Sequence, residues 1–328
     1  MKVRVYPADA SGCGHYRLIW PGRTIDVLEP DTEVIIGGRH VNGRMSRADA
    51  DVVVFQRVMS RQLINAMKAL QQTGIKVVVD VDDDFSALHP QHPSRRILHP
   101  KVNPDVNWRL LMEACAVADL VTVSTEALAE RYGTVTRAVV LHNCIPDWLL
   151  TQENVSDGRT VGWSGFHAFH PGDLEVTHGG VAAAVASEGA RFRVIGTADG
   201  IQRALSLGLE PDATGPKPFD HFHAELAHLS VGIVPLAESA FNDAKSWLKG
   251  LEFAAAGVPF AASTTTSYRM LEARGAGVTV RPRARSWRRE VTRLLRERAD
   301  HVEAGRAVAR ELTYSKNAWR WAEAWASA

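Results

Sequence analysis

Twice along this chain, short apolar runs rich in valine and isoleucine alternate with stretches of helical periodicity. The first series is KVRVYP (2–7), TEVIIGG (32–38), DVVVFQR (51–57), IKVVVDV (75–81), DLVTVST (119–125) and AVVLHN (138–143). Between these runs Ser60–Thr73, Asn107–Ala118 and Thr125–Tyr132 read as helices, with Leu63, Met67 and Leu70 at helical spacing in the first. Strands that are apolar on both faces need cover on both faces, which is the signature of a parallel sheet between helical layers. The polar segment LTQENVSDGRT (150–160) reads as a linker, and the alternation then restarts. TVGWSG (160–165), FRVIGT (192–197), LSVGIVPL (229–236), VPFAAS (258–263) and GVTVRP (277–282) form the second series. The end is helical, over Trp287–Glu297 and Lys316–Ala326. The pattern predicts an α/β protein of two doubly wound, Rossmann-like domains, 1–149 and 150–313, facing each other across a cleft.

A length of 328 residues suits two such domains, and 45% hydrophobic with 23% charged residues is an ordinary globular composition. A net charge of +1 gives no bulk attraction to nucleic acid or to a membrane, and no nucleic-acid partner is expected. The basic run RPRARSWRRE (281–290) reads as a solvated helix face. The cysteines, Cys13, Cys115 and Cys144, form no C-x-x-C pair and suit a reducing cytoplasm. MKVRVYPADASG has no apolar signal core, and no run is long enough for a transmembrane segment, so a cytoplasmic location is expected.

Ligands of open parallel sheets bind beyond the carboxyl ends of the strands, so the loops there carry the functional expectation. In DASGCGHYR (9–17), Gly12 and Gly14 suit close backbone approach and positive φ, and Tyr16 and Arg17 are read as opening a helix. VVVDVDDDF (77–85) ends a strand in Asp80, Asp82, Asp83 and Asp84. These acids admit three readings: a divalent-metal site, a phosphatase nucleophile pair, or polar residues lining a cleft. The loop that follows, 87–105, offers His89, His92 and His99 as possible metal partners. In VGWSGFHAFHPGDL (161–174), Gly165 permits a tight turn, and His170 and Asp173 lie near a helix start, with Asp173 a candidate cap. FNDAKSWLKGLEFAAAGVPFAAS (241–263) reads as a helix over 244–256, capped by Asn242 or Asp243 and closed by Gly257. Lys245, Lys249 and Glu252 then share one helix face. Either they form a surface ladder, or the lysines bind a diphosphate and Glu252 accepts ribose hydroxyls.

KSWLKGLEFAAAGVPFAAS (245–263) resembles the nucleotide-sugar signature of two-domain GT-B glycosyltransferases, in particular the large retaining family with bacterial and phage-encoded members. VVVDVDDDF, ADLVTVSTEAL, VVLHNCIP, VGWSG and SVGIVPL fall in the same order as in that family, so the resemblance spans nearly the whole chain. It implies transfer of a sugar from a UDP- or GDP-sugar to an unidentified acceptor (protein, glycan or lipid), without metal or other cofactor and with retention, as in the hexosyltransferases. It implies donor contacts from Gly12, Gly14, Arg17, Gly165, Asn242, Lys245, Ser246, Lys249 and Glu252, and catalytic roles for Asp82, Asp83 and His170. It also implies that the last helix, 314–328, packs back on the first domain. Two positions depart from the family. Ala244 stands where a carboxylate is usual, and GFHAFHPGD (165–173) offers only His167 and His170 in place of a basic pair. Lys245 and Lys249 are then expected to take over the phosphate contact. Two alternatives stand beside this reading: an acid-metal phosphohydrolase centred on Asp80 and Asp82, and an inactive sugar-nucleotide-binding protein.

Overall fold

The structure, a computed structural model, describes residues 1–37, 49–103 and 106–328. Gly38 of the second expected strand and the last two residues of the His/Pro loop, Pro104 and Asp105, lie outside the described residues. The first sheet contains β1 (Lys2–Tyr6), β2 (Glu33–Ile36), β3 (Val52–Gln56), β4 (Lys76–Val81), β5 (Leu120–Val123) and β6 (Ala138–Val140), in the order β2-β1-β3-β4-β5-β6. The second contains β7 (Thr160–Gly165), β8 (Arg191–Gly196), β9 (Asp212–Ala213), β10 (Val231–Val234), β11 (Phe260–Ser263) and β12 (Val278–Val280), in the order β12-β11-β10-β7-β8-β9. Every pairing is parallel. The continuous apolar runs are buried at every residue in β3, β5, β10 and β11, as cover on both faces requires.

The strand order reverses between β1 and β3 in one sheet and between β7 and β10 in the other. These are the switch points at which the loops diverge and leave a crevice. Two elements are additions to the sequence reading. β9 adds an exposed two-residue edge strand that carries no apolar run. Arg298–Glu311 adds a long helix before the final crossing.

The helix after β1 begins at Gly12, not at Tyr16. It runs as Gly12–Gly14, a π-helical turn His15–Ile19, and Trp20–Leu28. A π turn rotates side chains away from the ordinary helical face, and here Tyr16, Arg17, Leu18 and Ile19 are all buried. Gly14 has an ordinary right-handed φ of −63°. Its glycine is required by space instead, since a Cβ there would sit 1.9 Å from the Asp9 carbonyl oxygen. Gly12 is likewise not a positive-φ position.

Arg17 is 1% exposed and Asp80, in β4, is 0% exposed. The guanidinium donates from Nη2 to Asp80 at 2.8 Å, and from Nη1 to the Leu141 carbonyl at 2.5 Å and Asn143 Oδ1 at 2.9 Å. Thr122 donates to the same carboxylate at 2.7 Å. The last helices, Tyr314–Asn317 and Trp319–Ala326, return to this point. Tyr314 donates to the Tyr16 carbonyl at 2.5 Å, and the Trp321 indole to the Arg17 carbonyl at 3.1 Å.

Removing one partner of a buried pair strands the other charge in a low-dielectric interior. Arg17→Met is therefore expected to destabilise the protein by about 3–5 kcal/mol in urea melts. A loss under about 1 kcal/mol would show that the pair is not holding the first domain together.

Candidate active site

The two switch points face each other across a cavity of about 380 Å³. Gly12, Cys13, Tyr16, Arg17, Asp82, Asp83 and Asn143 line it from the first sheet's side. His170, Lys245, Ser246, Lys249 and Glu252 line it from the second.

The expected helix over 244–256 is broken. Ala240–Asp243 and Leu248–Ala255 are separate helices. The first cap is Ser239, whose Oγ accepts from Asn242 N at 3.1 Å, so neither Asn242 nor Asp243 caps. Lys245 thus lies in a turn, not on the face shared by Lys249 and Glu252, yet all three reach the cavity. The break has a packing cause. Phe241 and Ala244 are buried in the hydrophobic cluster of the first sheet, and the Ala244 carbonyl accepts from Thr125 Oγ1 at 2.9 Å. Ala244 is 2% exposed, so the longer, charged side chain that the family pattern carries there would have to enter this apolar cluster. Gly257 closes the second helix at φ +68°, as expected.

Lys249 donates to the Ser164 carbonyl at 2.6 Å and lies over the Trp163 ring at 5.1 Å. Among the described residues no carboxylate is within ion-pair distance of it. Burial, with Lys245 nearby, pulls its ammonium down to about 8. Lys245 lies over the Phe241 ring and 4.0 Å from Asp83. Glu252 accepts from Tyr16 OH at 2.5 Å, and the buried His223 Nε2 is 3.3 Å from the same oxygen.

His170 sets its Nδ1 2.9 Å from Asp173 Oδ2. Burial and Lys249 lower the imidazole to about 4, so it is neutral at pH 7. Its Nδ1 then donates to Asp173 and its Nε2 keeps a lone pair. Asp173 stands at the N-cap of the short turn Leu174–Thr177, as expected, but its side chain makes no capping bond; it accepts instead from Ala237 N at 2.8 Å and Asn242 Nδ2 at 2.7 Å. Asn242 is thus brought to Asp173 and not to the cavity wall. Gly165 ends β7 at φ +141°, and a Cβ there would press on Trp163 and His170.

Of the acids, Asp82 and Asp83 both reach the cavity, because both lie past the end of β4 and escape strand alternation. Burial opposes the Asp82 charge, but Arg57 pairs with both its oxygens at 2.5 and 2.6 Å and holds the carboxyl below its ordinary range. Arg57 adopts a left-handed φ of +51°, a strained backbone for arginine, and its Nη2 also meets Cys13 Sγ at 3.1 Å. Burial raises the Asp83 carboxyl. Asp84 accepts from Ser86 N at 3.0 Å and pairs with Arg131. Asp80 is wholly buried with Arg17, which removes it as a phosphatase nucleophile. His89, His92 and His99 each accept through Nδ1 from the backbone N–H two residues on. Among the described residues no group of three His, Cys, Asp or Glu side chains is placed to hold a metal ion, and no helix is long and apolar enough to cross a membrane.

Tyr16, Arg57, Asn143 and His223 were not singled out as ligands of the site from the sequence. Tyr16 and His223 meet across 207 positions, and no local pattern signals such a contact.

No family model matches the sequence, and no curated protein matches it. Solved structures do match in fold. Sucrose-phosphate synthase from Thermosynechococcus elongatus superposes with a TM-score of 0.66 at 14% identity, covering 98% of this chain and 97% of that one. HepE of Anabaena in complex with UDP gives 0.65 at 12% identity, covering 100% of both chains. A putative UDP-N-acetylglucosamine 2-epimerase from Listeria monocytogenes gives 0.60 at 12% identity, covering 98% and 95%. The chain has the GT-B fold, two Rossmann-like domains around a cleft.

The Lys249 ammonium gives a test with a defined sign. Its value in the folded chain, about 8, lies below that of an unfolded lysine, so between pH 8 and about 10.5 the unfolded chain holds a proton the folded one has lost. Stability from this group therefore rises with pH across that window and is lowest below it. Lys249→Met is expected to stabilise the empty protein by about 1–3 kcal/mol at pH 7. The gain should vanish by about pH 10.5 in thermal melts. A destabilised variant at pH 7 would mean that the ammonium is well solvated.

Proposed function

We propose that this chain is a glycosyltransferase that moves a sugar from a nucleoside diphosphate sugar to an acceptor. The observation that carries the reading is Lys249, a half-buried cation at the switch-point cavity with no carboxylate partner among the described residues, beside Lys245 and Glu252. A half-buried cation without a carboxylate partner costs stability and suits a site that awaits an anion. In this reading Lys245 and Lys249 hold the diphosphate and stabilise the charge it gains as the sugar leaves. Glu252, with Oε1 committed to Tyr16, offers Oε2 to the ribose hydroxyls. Ser246, Gly12 and Gly14 shape the phosphate side, and Gly165 leaves space beside His170, whose Nε2 accepts a sugar hydroxyl. Arg17 and Asn242 act through the groups they hold, Asn143 and Asp173. Asp82 and Asp83 bind acceptor hydroxyls, and Arg57 makes Asp82 a weak base, which agrees with retention. The donor-side domain is 150–313, and the acceptor-side domain is 1–149 with 314–328. The lysines supply the positive charge a metal would bring, so no metal is assigned. Three free cysteines suit a cytoplasmic setting.

The solved structures of this fold also support the reading: HepE is described in complexes with UDP, with UDP and glucose, and with UDP-glucose. The fold also occurs in the putative epimerase, so the assay must separate transfer from isomerisation.

Isothermal titration with UDP, GDP and ADP, followed by turnover of a panel of nucleotide sugars with protein, glycan and lipid acceptors, tests the proposal. Release of nucleoside diphosphate with a glycosylated product of retained anomeric configuration is expected. Loss of the donor without a new glycosidic bond, or an epimerised sugar, would overturn it.

Lys245→Ala and Lys249→Ala are each expected to weaken diphosphate binding by about 1–3 kcal/mol. Glu252→Gln keeps an oxygen for Tyr16 but turns a ribose acceptor into a donor, so activity should fall with little change in melting temperature. A large drop in melting temperature would assign Glu252 to structure.

Activity should persist in excess EDTA. Abolition by EDTA with rescue by Mn²⁺ would assign a metal to the reaction.

A further inference from the structure

A second cavity, of about 490 Å³, lies where the chain crosses between its two halves. It is distinct from the one described above. One side comes from the loop after β6, with His142 and Cys144; another from Arg274, after the helix Thr266–Ala273; the third from 311–320 on the returning segment. Trp247 forms part of its wall. Its indole donates to the Asn143 carbonyl at 2.9 Å, and Asn143 lines the first cavity.

Three cations meet here from separate stretches of chain: Arg274, Lys316 and Arg320. Lys316 is paired with Glu311 at 2.6 Å. Arg274 and Arg320 have no carboxylate partner among the described residues. Each is instead held over an indole, Arg274 over Trp247 at 5.5 Å and Arg320 over Trp319 at 5.4 Å. Cation–π contacts fix the planes of the two guanidinium groups and leave their N–H edges free. The floor is aromatic, with the His142 ring 4.7 Å from that of Trp247. His142 sets Nδ1 3.3 Å from the Ser124 carbonyl and Nε2 3.2 Å from Glu126; burial lowers its imidazole, and the neutral ring donates to one of these acceptors and adds aromatic surface to the floor. Trp319 is 48% exposed, a large apolar face left at the rim. With Glu311 the one acid among the described residues of the lining, the cavity has an excess of positive charge over an aromatic floor.

We propose that this cavity is a second ligand site, for a small phosphate-bearing molecule, with Arg274 and Arg320 gripping the phosphate and the Trp319 indole covering the rest. Planar guanidinium groups match phosphate oxygens in pairs. The volume lies in the range of small-molecule sites, about 300–1,000 Å³. The two arginines belong to different halves of the molecule, so a bound phosphate ties Arg274 to the segment that returns to the first sheet. Through Trp247 and Asn143 it touches the wall of the first cavity.

The inference does not rest on the donor reading, and its test is independent of it. Glucose 6-phosphate and inorganic phosphate, monophosphates unlike the diphosphate assigned to the first cavity, are titrated into the full-length protein, with tryptophan fluorescence and calorimetry as readouts. The titration is repeated in Lys249→Met, in Arg274→Ala and in Arg320→Ala. Saturable one-to-one binding with an unchanged constant in Lys249→Met, and at least tenfold weaker binding in each arginine variant, is the expected result. Arg274 and Arg320 are exposed, so both variants should fold, and Arg320→Glu, checked by its melting temperature, gives a second variant at the same position. Binding lost in Lys249→Met but kept in the arginine variants would place the phosphate in the first cavity and overturn the proposal. So would the absence of saturable binding by either probe.

Discussion

A guanidinium cannot be buried without partners for its charge and its N–H groups, and that requirement at Arg17 organises this protein. The π turn aims Arg17 into the first domain, where the end of β4 supplies Asp80 and the chain beyond β6 supplies Leu141 and Asn143. The backbone of the same turn carries the returning segment, through Tyr314 and Trp321. One charge thus fixes the relative positions of the first helix, the middle of the first sheet, the loop into the second half and the last helix. Asn143 passes the constraint on, since its amide donates to Ser246 Oγ at 2.8 Å and its carbonyl accepts from Trp247. The loop that carries Lys245 and leads to Lys249 is therefore positioned by groups rooted in the opposite sheet.

The strands were legible because parallel, doubly covered sheets demand apolar residues at every position, a pattern few other structures produce. β9 was not, since an exposed edge strand of two residues has no pattern to read. Lys245, Lys249 and Glu252 converge on one cavity as their spacing suggested, but for a partly different reason. Lys249 and Glu252 do share a helix, whereas Lys245 reaches the cavity from the turn that the burial of Phe241 and Ala244 forces on the chain. Periodicity cannot reveal such a break, because the residues that cause it pack against the other half of the molecule. The same limit hid His223 and Arg57. The acids were visible as a cluster, yet their division of labour depends on which arginine each one meets: Asp80 on Arg17, Asp82 on Arg57, Asp84 on Arg131.

The cavity keeps opposite charges apart in a way that bears on the proposed reaction. On the first sheet's side the acids are matched by Arg57, whose strained backbone places the guanidinium against Asp82. On the second sheet's side Lys249 meets the Ser164 carbonyl and the Trp163 ring. Charges of the two sides meet in the loose contact of Lys245 with Asp83, at 4.0 Å. A diphosphate offers Lys245 a stronger and closer partner than Asp83 does, since charge-assisted hydrogen bonds to phosphate are short and strong. On the proposed reading, donor binding draws Lys245 away from Oδ1 of Asp83 and leaves Arg57, 3.4 Å from Oδ2, as its cation. Its carboxyl, already raised by burial, then has its remaining capacity free for an acceptor hydroxyl. The arrangement favours donor before acceptor, because the group assigned to the acceptor is engaged until the diphosphate arrives.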